Sequence, residues 1–300
     1  VGGSEDIKKP GGKILYNIIQ GKFMGDLYVA NPKADEVQGI KSYKDLNDLP
    51  GTDLAILAIP AKFCIDSIKI LAESKGTKAF IIISAGFSET DEEGAKIENE
   101  IVEIIEKHNG VLIGPNGIGV LTPKYHGVFT SPIPKLDPQG VDFISGSGAT
   151  AVFITELGIP NGLTFASIYS VGNSAQTGVE EVLEYMDLNY KEGVSSKVKL
   201  LYLEQIDKPK KLLKHARSLI NKGCKIAAVK SGSSEAGSRA ASSHTGALAS
   251  SDAAVDALFK KAGIVRCYGR QELITVASVF TYPELKGKNI AIVTHAGGPA

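Results

Sequence analysis

The chain has 300 residues, with 33 Lys and Arg against 33 Asp and Glu, a formal net charge of zero. No global field draws it to nucleic acid or to an anionic membrane, so an anionic ligand must be held by local groups. Hydrophobic residues make up 43%, no run approaches the roughly 18 apolar residues of a membrane span, and the length exceeds what one core usually covers, so two α/β domains of ordinary soluble type are expected.

The opening, VGGSEDIKKPGGK, has no methionine and no strand ahead of its glycine turn, although such a turn normally follows one. The end, KNIAIVTHAGGPA, is a strand pattern running into another glycine turn. Both ends read as cut from a longer protein. Residues 1–122 alternate apolar runs at 25–32, 53–60, 79–86 and 110–116 with helical periodicity at 61–75 and 90–109, the pattern of a Rossmann-like parallel sheet without its first strand. Each run ends in Pro, Gly or Asn, at the sheet edge where open α/β folds bind ligands. After the first of them stands Asn31-Pro32-Lys33 rather than the Asp or Glu that accepts from NAD ribose. A lysine there suits a ribose phosphate, as in coenzyme A or NADP.

Residues 123–140, rich in proline and glycine, read as a linker. The alternation restarts in 141–283, with strand patterns at 141–150, 163–173, 197–205 and 225–233 and helical ones at 149–158, 177–189, 208–222 and 251–262, a second doubly wound, flavodoxin-like domain. A strand at 288–294 opens a third α/β unit in 284–300. Cys64, Cys224 and Cys267 lack metal or disulfide spacing and read as small buried hydrophobes in a reducing, cytoplasmic setting; no metal site is expected.

Three glycine-serine turns end strands of the second domain: SGSGAT at 145–150, VGNSAQTG at 171–178 and SGSSEAGSRAASSHTG at 231–246. The first two precede helices, whose free N–H groups and positive dipole ends can converge on a phosphate, although ordinary N-caps use the same residues. In the third, His244 stands on a platform of Gly, Ala, Ser and Thr. A neutral imidazole attacks phosphorus readily near neutral pH, provided that a partner fixes its tautomer, and Glu204 at the end of LYLEQ is the candidate partner. His108 reads as a helix C-terminal charge, His126 as part of the linker, and His215 as part of a polar helix face beside Lys214 and Arg217.

The motifs SHTGALASSD at 243–252, GPNGIGV at 114–120 and SAGFSE at 84–89 make the chain resemble, over its whole length, the α-type part of the NDP-forming acyl-CoA synthetases, especially ADP-forming acetyl-CoA synthetase, and more distantly the succinyl-CoA synthetase α subunit. The resemblance implies a CoA-binding domain followed by a ligase domain. It implies that an acyl-CoA and phosphate give an acyl phosphate, which phosphorylates a histidine that in turn phosphorylates ADP. On that pattern His244 carries the phosphoryl group and Glu204 supports it. Ser147, Gly148, Asn173, Ser174, Thr245 and Gly246 cradle phosphate, and Gly3, Ser4, Lys33, Pro60, Ser84 and Asn116 line the CoA site. ADP or ATP with Mg2+ belongs to a nucleotide-grasp β-type subunit or C-terminal domain, the acid and phosphate are small-molecule partners, and an oligomer is expected. One departure is Gly117, where the family usually has cysteine. A CoA-sensing module without turnover and an NADP-dependent oxidoreductase remain the competing readings.

Overall fold

The computed structural model describes residues 1–232, 251–283, 287–289, 291, 293 and 295. His244, Thr245 and Gly246 lie outside them, as do several positions of the strand expected at 288–294 and much of the expected third unit.

In the first half, helix α1 (Pro10–Gln20) precedes β1 (Val29–Ala30), β2 (Glu36–Val37) and β3 (Ile40–Tyr43). Then come β4 (Leu54–Leu57), α2 (Cys64–Ser74), β5 (Ala79–Ile82), α3 (Glu92–Lys107) and β6 (Val111–Ile113). Strands β1, β3 and β2 form one small sheet, and β4, β5 and β6 a parallel one. Val1 and Gly2 join the two: the Gly2 amide donates to Ala30 O at 2.9 Å and the Ala58 amide to Val1 O at 3.0 Å. The ends of β1, β4, β5 and β6 therefore meet at one edge. Helix α1 has no counterpart in the pattern read above, because its first turn is Pro-Gly-Gly. Proline is tolerated there since its missing N–H is not needed, and the glycines admit a neighbouring loop. A Cβ on Gly11 would lie 2.1 Å from Gly2 O, and one on Gly12 2.2 Å from Asp6 O.

The second half runs β7 (Gly119–Thr122), β8 (Tyr125–Val128), β9 (Leu136–Ser145), α4 (Gly148–Gly158), β10 (Phe165–Ser170), α5 (Val179–Leu188), β11 (Val198–Leu203), α6 (Pro209–Asn221) and β12 (Lys225–Lys230). It continues with α7 (Asp252–Ala262), β13 (Val265–Cys267) and α8 (Arg270–Thr281). These strands form a seven-stranded sheet of order β13-β12-β11-β9-β10-β7-β8. From β10 to β13 it is parallel with the flavodoxin order 2-1-3-4-5, counting β9 as the first strand. The segment expected as a linker is thus largely built into this sheet. β8 pairs with β7, which pairs antiparallel with β10, and β9 starts at Leu136. Pro123, Pro132 and Pro134 lie between strands, and Pro138 lies in the first part of β9, ahead of its pairing with β10 and β11 from Val141.

Both faces of the sheet are covered. Phe143, Phe165, Leu200 and Ile154 pack with Leu273 and Ile274 of α8 on one side. Leu201, Leu203, Leu183, Leu212 and Phe259 pack on the other. Cys64, Cys224 and Cys267 are free and buried, as expected, and burial pushes the Cys64 thiol up to about 12. His215 departs from expectation. It is 2% exposed, with Nδ1 2.8 Å from Asp187 Oδ2 and Nε2 3.1 Å from Glu184 Oε1, because α6 turns this side chain inward against α5.

A buried charge sits under the same face. Lys199 is 1% exposed and pairs with Asp142, whose other oxygen accepts from Ser167 Oγ at 2.5 Å, while Ser196 O accepts from the Lys199 ammonium at 2.7 Å. Removing one member of such a pair strands the other in low dielectric. Asp142→Ala is expected to destabilise the protein by about 3–5 kcal/mol, measured by urea unfolding, whereas Asp142→Leu combined with Lys199→Met recovers most of the loss; a single mutant as stable as the parent would refute the pairing.

Candidate functional site

A cleft of about 710 Å³ opens where the two halves meet. The flavodoxin order reverses beside β9, so the turns after β9 and β11 diverge there and leave a crevice, the usual ligand position in such sheets. The turn after β9 supplies Gly146, Ser147 and Gly148, and the end of β11 supplies Glu204. The loop after β10 supplies Gly172, Asn173 and Ser174, and the first half contributes Asn116, Ser88, Glu89 and Glu98. Of the residues expected to cradle phosphate, Ser147, Gly148, Asn173 and Ser174 line this one cleft together with Glu204, and Asn116 joins them from the CoA group.

Ser147 caps α4: its hydroxyl accepts from the Thr150 amide at 3.3 Å, while its own amide donates to Ser145 Oγ at 3.2 Å. The amides of Gly148 and Ala149 come first in the helix, where no intrahelical acceptor exists, and both residues line the cleft. They are the free donors expected of an anion site. Helix α5 also starts on the cleft, at Val179 and Glu180, but its N-cap is occupied: the Gly178 amide donates to Glu181 Oε2 at 3.0 Å. Two helix N-termini reach one cavity, and at α5 the N-cap amide is taken by Glu181.

Asn173, in the second turn expected to cradle phosphate, lines the cleft with its side chain turned to the first half. Its Nδ2 lies 2.5 Å from Glu89 Oε2, 2.9 Å from Glu98 Oε2 and 3.2 Å from Ser88 Oγ, and its Oδ1 accepts from Asn116 Nδ2 at 3.2 Å. An amide group has two hydrogens, so none is left for an anion. Burial alone would raise the Glu89 pKa, but hydrogen bonds from Asn173 and the Gly86 amide outweigh it and hold the carboxyl below the usual range. Asn173 is thus a tie between the halves. Glu89 and Glu98 were not singled out in the sequence, although Glu89 closes the SAGFSE motif; the motif names the loop, not the partner its carboxylate finds.

Glu204 follows β11 directly. A Cβ on Gly146 would lie 3.8 Å from Glu204 Cγ, so the absence of a side chain at 146 keeps the crevice open beside the carboxylate. Lys230, at the end of β12, contributes positive charge nearby. Burial pulls its pKa down, and the charges of Glu204 and Asp252 oppose that fall. The proposed partner of Glu204, His244, is outside the described residues.

The remaining residues expected around CoA lie along the strand ends of the first half, outside the 710 Å³ cleft. Asn31 Nδ2 donates to Gly3 O at 2.8 Å, and Asn31 Oδ1 accepts from the Lys33 amide at 2.8 Å, which locks the turn after β1 against the opening loop. Ser4 O accepts from Gln38 Nε2 at 2.8 Å. Pro60 starts a 3-10 turn after β4, and Ser84 Oγ donates to Ile59 O at 2.5 Å. Lys33 is exposed, and its ammonium makes no ion pair among the described residues. Helix α1 has no side-chain N-cap and no acid in its first turn. A cation, and a helix N-terminus without a side-chain cap, at strand ends tied together by Asn31 and Gln38, fit the phosphates of a nucleotide such as CoA.

Gly117 is explained by contact. A Cβ there would come within 2.7 Å of Ser170 O, so the backbone of β10 fills the space that a cysteine side chain would need.

Residues 1–123 match the family model for a CoA binding domain, and residues 138–280 match that for the succinyl-CoA ligase like flavodoxin domain. The whole chain is 38% identical to the α subunit of an ADP-forming acetate–CoA ligase II from Pyrococcus furiosus, covering 100% of this chain and 64% of that one. It is also 38% identical to an ADP-forming acetate–CoA ligase from Methanocaldococcus jannaschii, covering 97% of this chain and 40% of that one. It superposes with a TM-score of 0.86, at 29% identity, on a dinucleotide forming acetyl-coenzyme A synthetase 1 from Ca. Korarchaeum cryptofilum in complex with phosphate and ADP, covering 95% of this chain and 61% of that one. The chain therefore spans less than two thirds of these relatives, and among the described residues no helix is long and apolar enough to cross a membrane. A CoA-binding half joined through a shared cleft to a ligase-type flavodoxin half places the chain in the family of NDP-forming acyl-CoA synthetases.

Proposed function

We propose that this chain is the CoA-binding and phosphoryl-carrying part of an acid–thiol ligase that interconverts acyl-CoA, phosphate and ADP with acid, CoA and ATP. The observation that carries the reading is the cleft at the β9/β11 crevice, where free α4 amides, Glu204 and the loops of the CoA-binding half meet. In the reaction, phosphate displaces the thiol from the thioester to give an acyl phosphate. The His244 ring then takes the phosphoryl group as the carboxylate leaves, and ADP takes it from the ring.

The residues of this chain act by holding charge. The Gly148 and Ala149 amides and the α4 dipole receive the phosphate, where fixed donors need no reorganisation. Glu204 accepts a hydrogen bond from the imidazole nitrogen that is not attacking, which fixes the tautomer and stabilises the ring as it gains positive charge. Thr245 and Gly246, next to His244, share in holding the phosphoryl group. Gly3, Ser4, Lys33, Pro60 and Ser84 form the CoA edge, with Lys33 set for a phosphate of the cofactor. ADP or ATP with Mg2+ is bound by a nucleotide-grasp domain or β-type subunit, and the assembly is an oligomer working in the cytoplasm.

Incubating the intact enzyme with radiolabelled ATP is expected to leave an acid-labile, base-stable protein label that His244→Ala abolishes. A mutant that labels normally overturns the histidine assignment, and CoA binding with no label under any nucleotide favours a sensor module instead. CoA is expected to raise the thermal midpoint by mass action while NADP does not. Lys33→Glu should weaken CoA binding by about 10-fold, the scale of one lost charge-assisted contact; an unchanged Kd by calorimetry would remove Lys33 from the site.

A further inference from the structure

The two glutamates that open α5 are adjacent in sequence and do different work. Glu181 serves its own helix: Oε2 accepts from the Gly178 amide at 3.0 Å, and Oε1 accepts from Lys208 Nζ at 2.8 Å and Lys211 Nζ at 2.9 Å. Glu180, besides accepting from its own amide, turns to the start of α6. It is 4% exposed, it lies in the wall of the 710 Å³ cleft, and its Oε1 accepts from the amides of Asp207 at 3.0 Å and Lys208 at 3.2 Å.

Those two amides end the loop that carries Glu204. Helix α6 begins at Pro209, its N-cap Lys208 has no side-chain cap, and the proline offers no N–H, so Glu180 supplies from a neighbouring helix the acceptor that the start of α6 lacks. The other end of the loop is fixed by the sheet. The Ser231 amide donates to Leu203 O at 2.9 Å, and the Gly146 amide donates to Tyr202 O at 2.9 Å. Residue 204 therefore lies between the fixed end of β11 and a stretch in which Glu180 holds the backbone of 207 and 208, Ile206 packs against the α5/α6 core, and Glu181 holds the Lys208 side chain. Gln205 adds only an exposed contact, Nε2 to Asp207 Oδ2 at 2.9 Å.

The position is costly for a charge, which argues that it is retained for a purpose. Burial pushes the Glu180 pKa up, its own and the Lys208 amides oppose the rise, and Glu181 and Asp207 add to it by like-charge repulsion. A group used only to fill space there would be better apolar.

We infer that Glu180 is a positioning residue for phosphoryl transfer: it pins the 204–208 loop so that the Glu204 carboxylate stays at the β9/β11 crevice. The inference rests on the phosphohistidine reading above. It requires an acceptor oxygen at 180 rather than a charge, and this separates it from a general electrostatic role. Glutamine keeps Oε1 and both amide contacts, whereas alanine removes them.

The test compares Glu180→Ala with Glu180→Gln in the intact enzyme by two measurements. The first is the rate at which radiolabelled ATP labels His244, with thermal midpoint and CoA Kd measured alongside. The second is hydrogen exchange at the amides of 207 and 208. The alanine variant is expected to lose amide protection and to label about 10- to 100-fold more slowly, the range that a misplaced catalytic group produces, with CoA Kd unchanged. The glutamine variant is expected to keep protection and to label within about 3-fold of the parent. Normal labelling in the alanine variant despite lost protection overturns the positioning role. Equal slowing in both variants overturns it too, because charge rather than geometry would then matter. A parent enzyme that never labels while its 207 and 208 amides are protected overturns the histidine reading itself, and with it this role.

Discussion

The structure depends on one strip of backbone, residues 172–177, that belongs to both halves at once. It leaves β10 of the large sheet and runs along β6 of the small one. The Asn173 amide donates to Pro115 O at 2.9 Å and the Ala175 amide to Gly114 O at 3.2 Å, and Thr177 forms a parallel bridge with Ile113. The approach is so close that a Cβ on Gly172 would lie 1.9 Å from Pro115 O, and glycine also accepts the positive φ of 54° there. Gln176 extends the contact, its Oε1 accepting from the Leu112 amide at 2.6 Å. Backbone pairing of this kind cannot slide without breaking several buried hydrogen bonds. The strand ends of the CoA-binding half and the crevice of the flavodoxin half therefore hold one fixed relation.

That fixed relation resolves an apparent contradiction in the cleft, which is lined by Glu89, Glu98, Glu180, Glu204 and Asp207 and yet is read as a phosphate site. Unengaged carboxylates would repel the ligand by several kcal/mol at low effective dielectric. Here most are engaged: Glu89 and Glu98 share Asn173, Glu180 takes two backbone amides, and Glu204 faces the charge of Lys230. The acids hold the walls, and on the proposed reading the amides at the start of α4 receive the anion. Neutral backbone donors suit a group that must be received and then released, since a lysine clamp would bind every phosphorylated state tightly.

Much of this was legible in the sequence because the relevant signals are local. Strand-then-glycine units fix which residues reach a sheet edge, so Ser147, Gly148, Asn173, Ser174 and Glu204 could be brought to one site without coordinates. What was not legible is tertiary. Nothing in KVKLLYLEQ shows that Lys199 is buried rather than solvated, since its partner Asp142 lies 57 positions away. His215 sits among Lys214 and Arg217, and only the packing of α6 on α5 turns it inward. Residues 123–140 carry the composition of a linker, and their incorporation depends on an edge strand, β10, that β7 and β8 extend.

Asn173 shows how far a motif can be taken. Its place in a glycine turn at a strand end correctly brings it to the cleft, yet the side chain is spent on the opposite half of the molecule. Residue type and position settle where a group is; the acceptors around it settle what it can do. The same holds for Glu180 and Glu181, which any helix-start rule treats as equivalent acids favoured by the dipole. One helical step of about 100° between them turns Glu181 toward the lysines of α6 and Glu180 toward the amides of the 204–208 loop. The distinction that matters for chemistry in this cleft is set by that rotation, and it becomes visible only once α5 and α6 are packed.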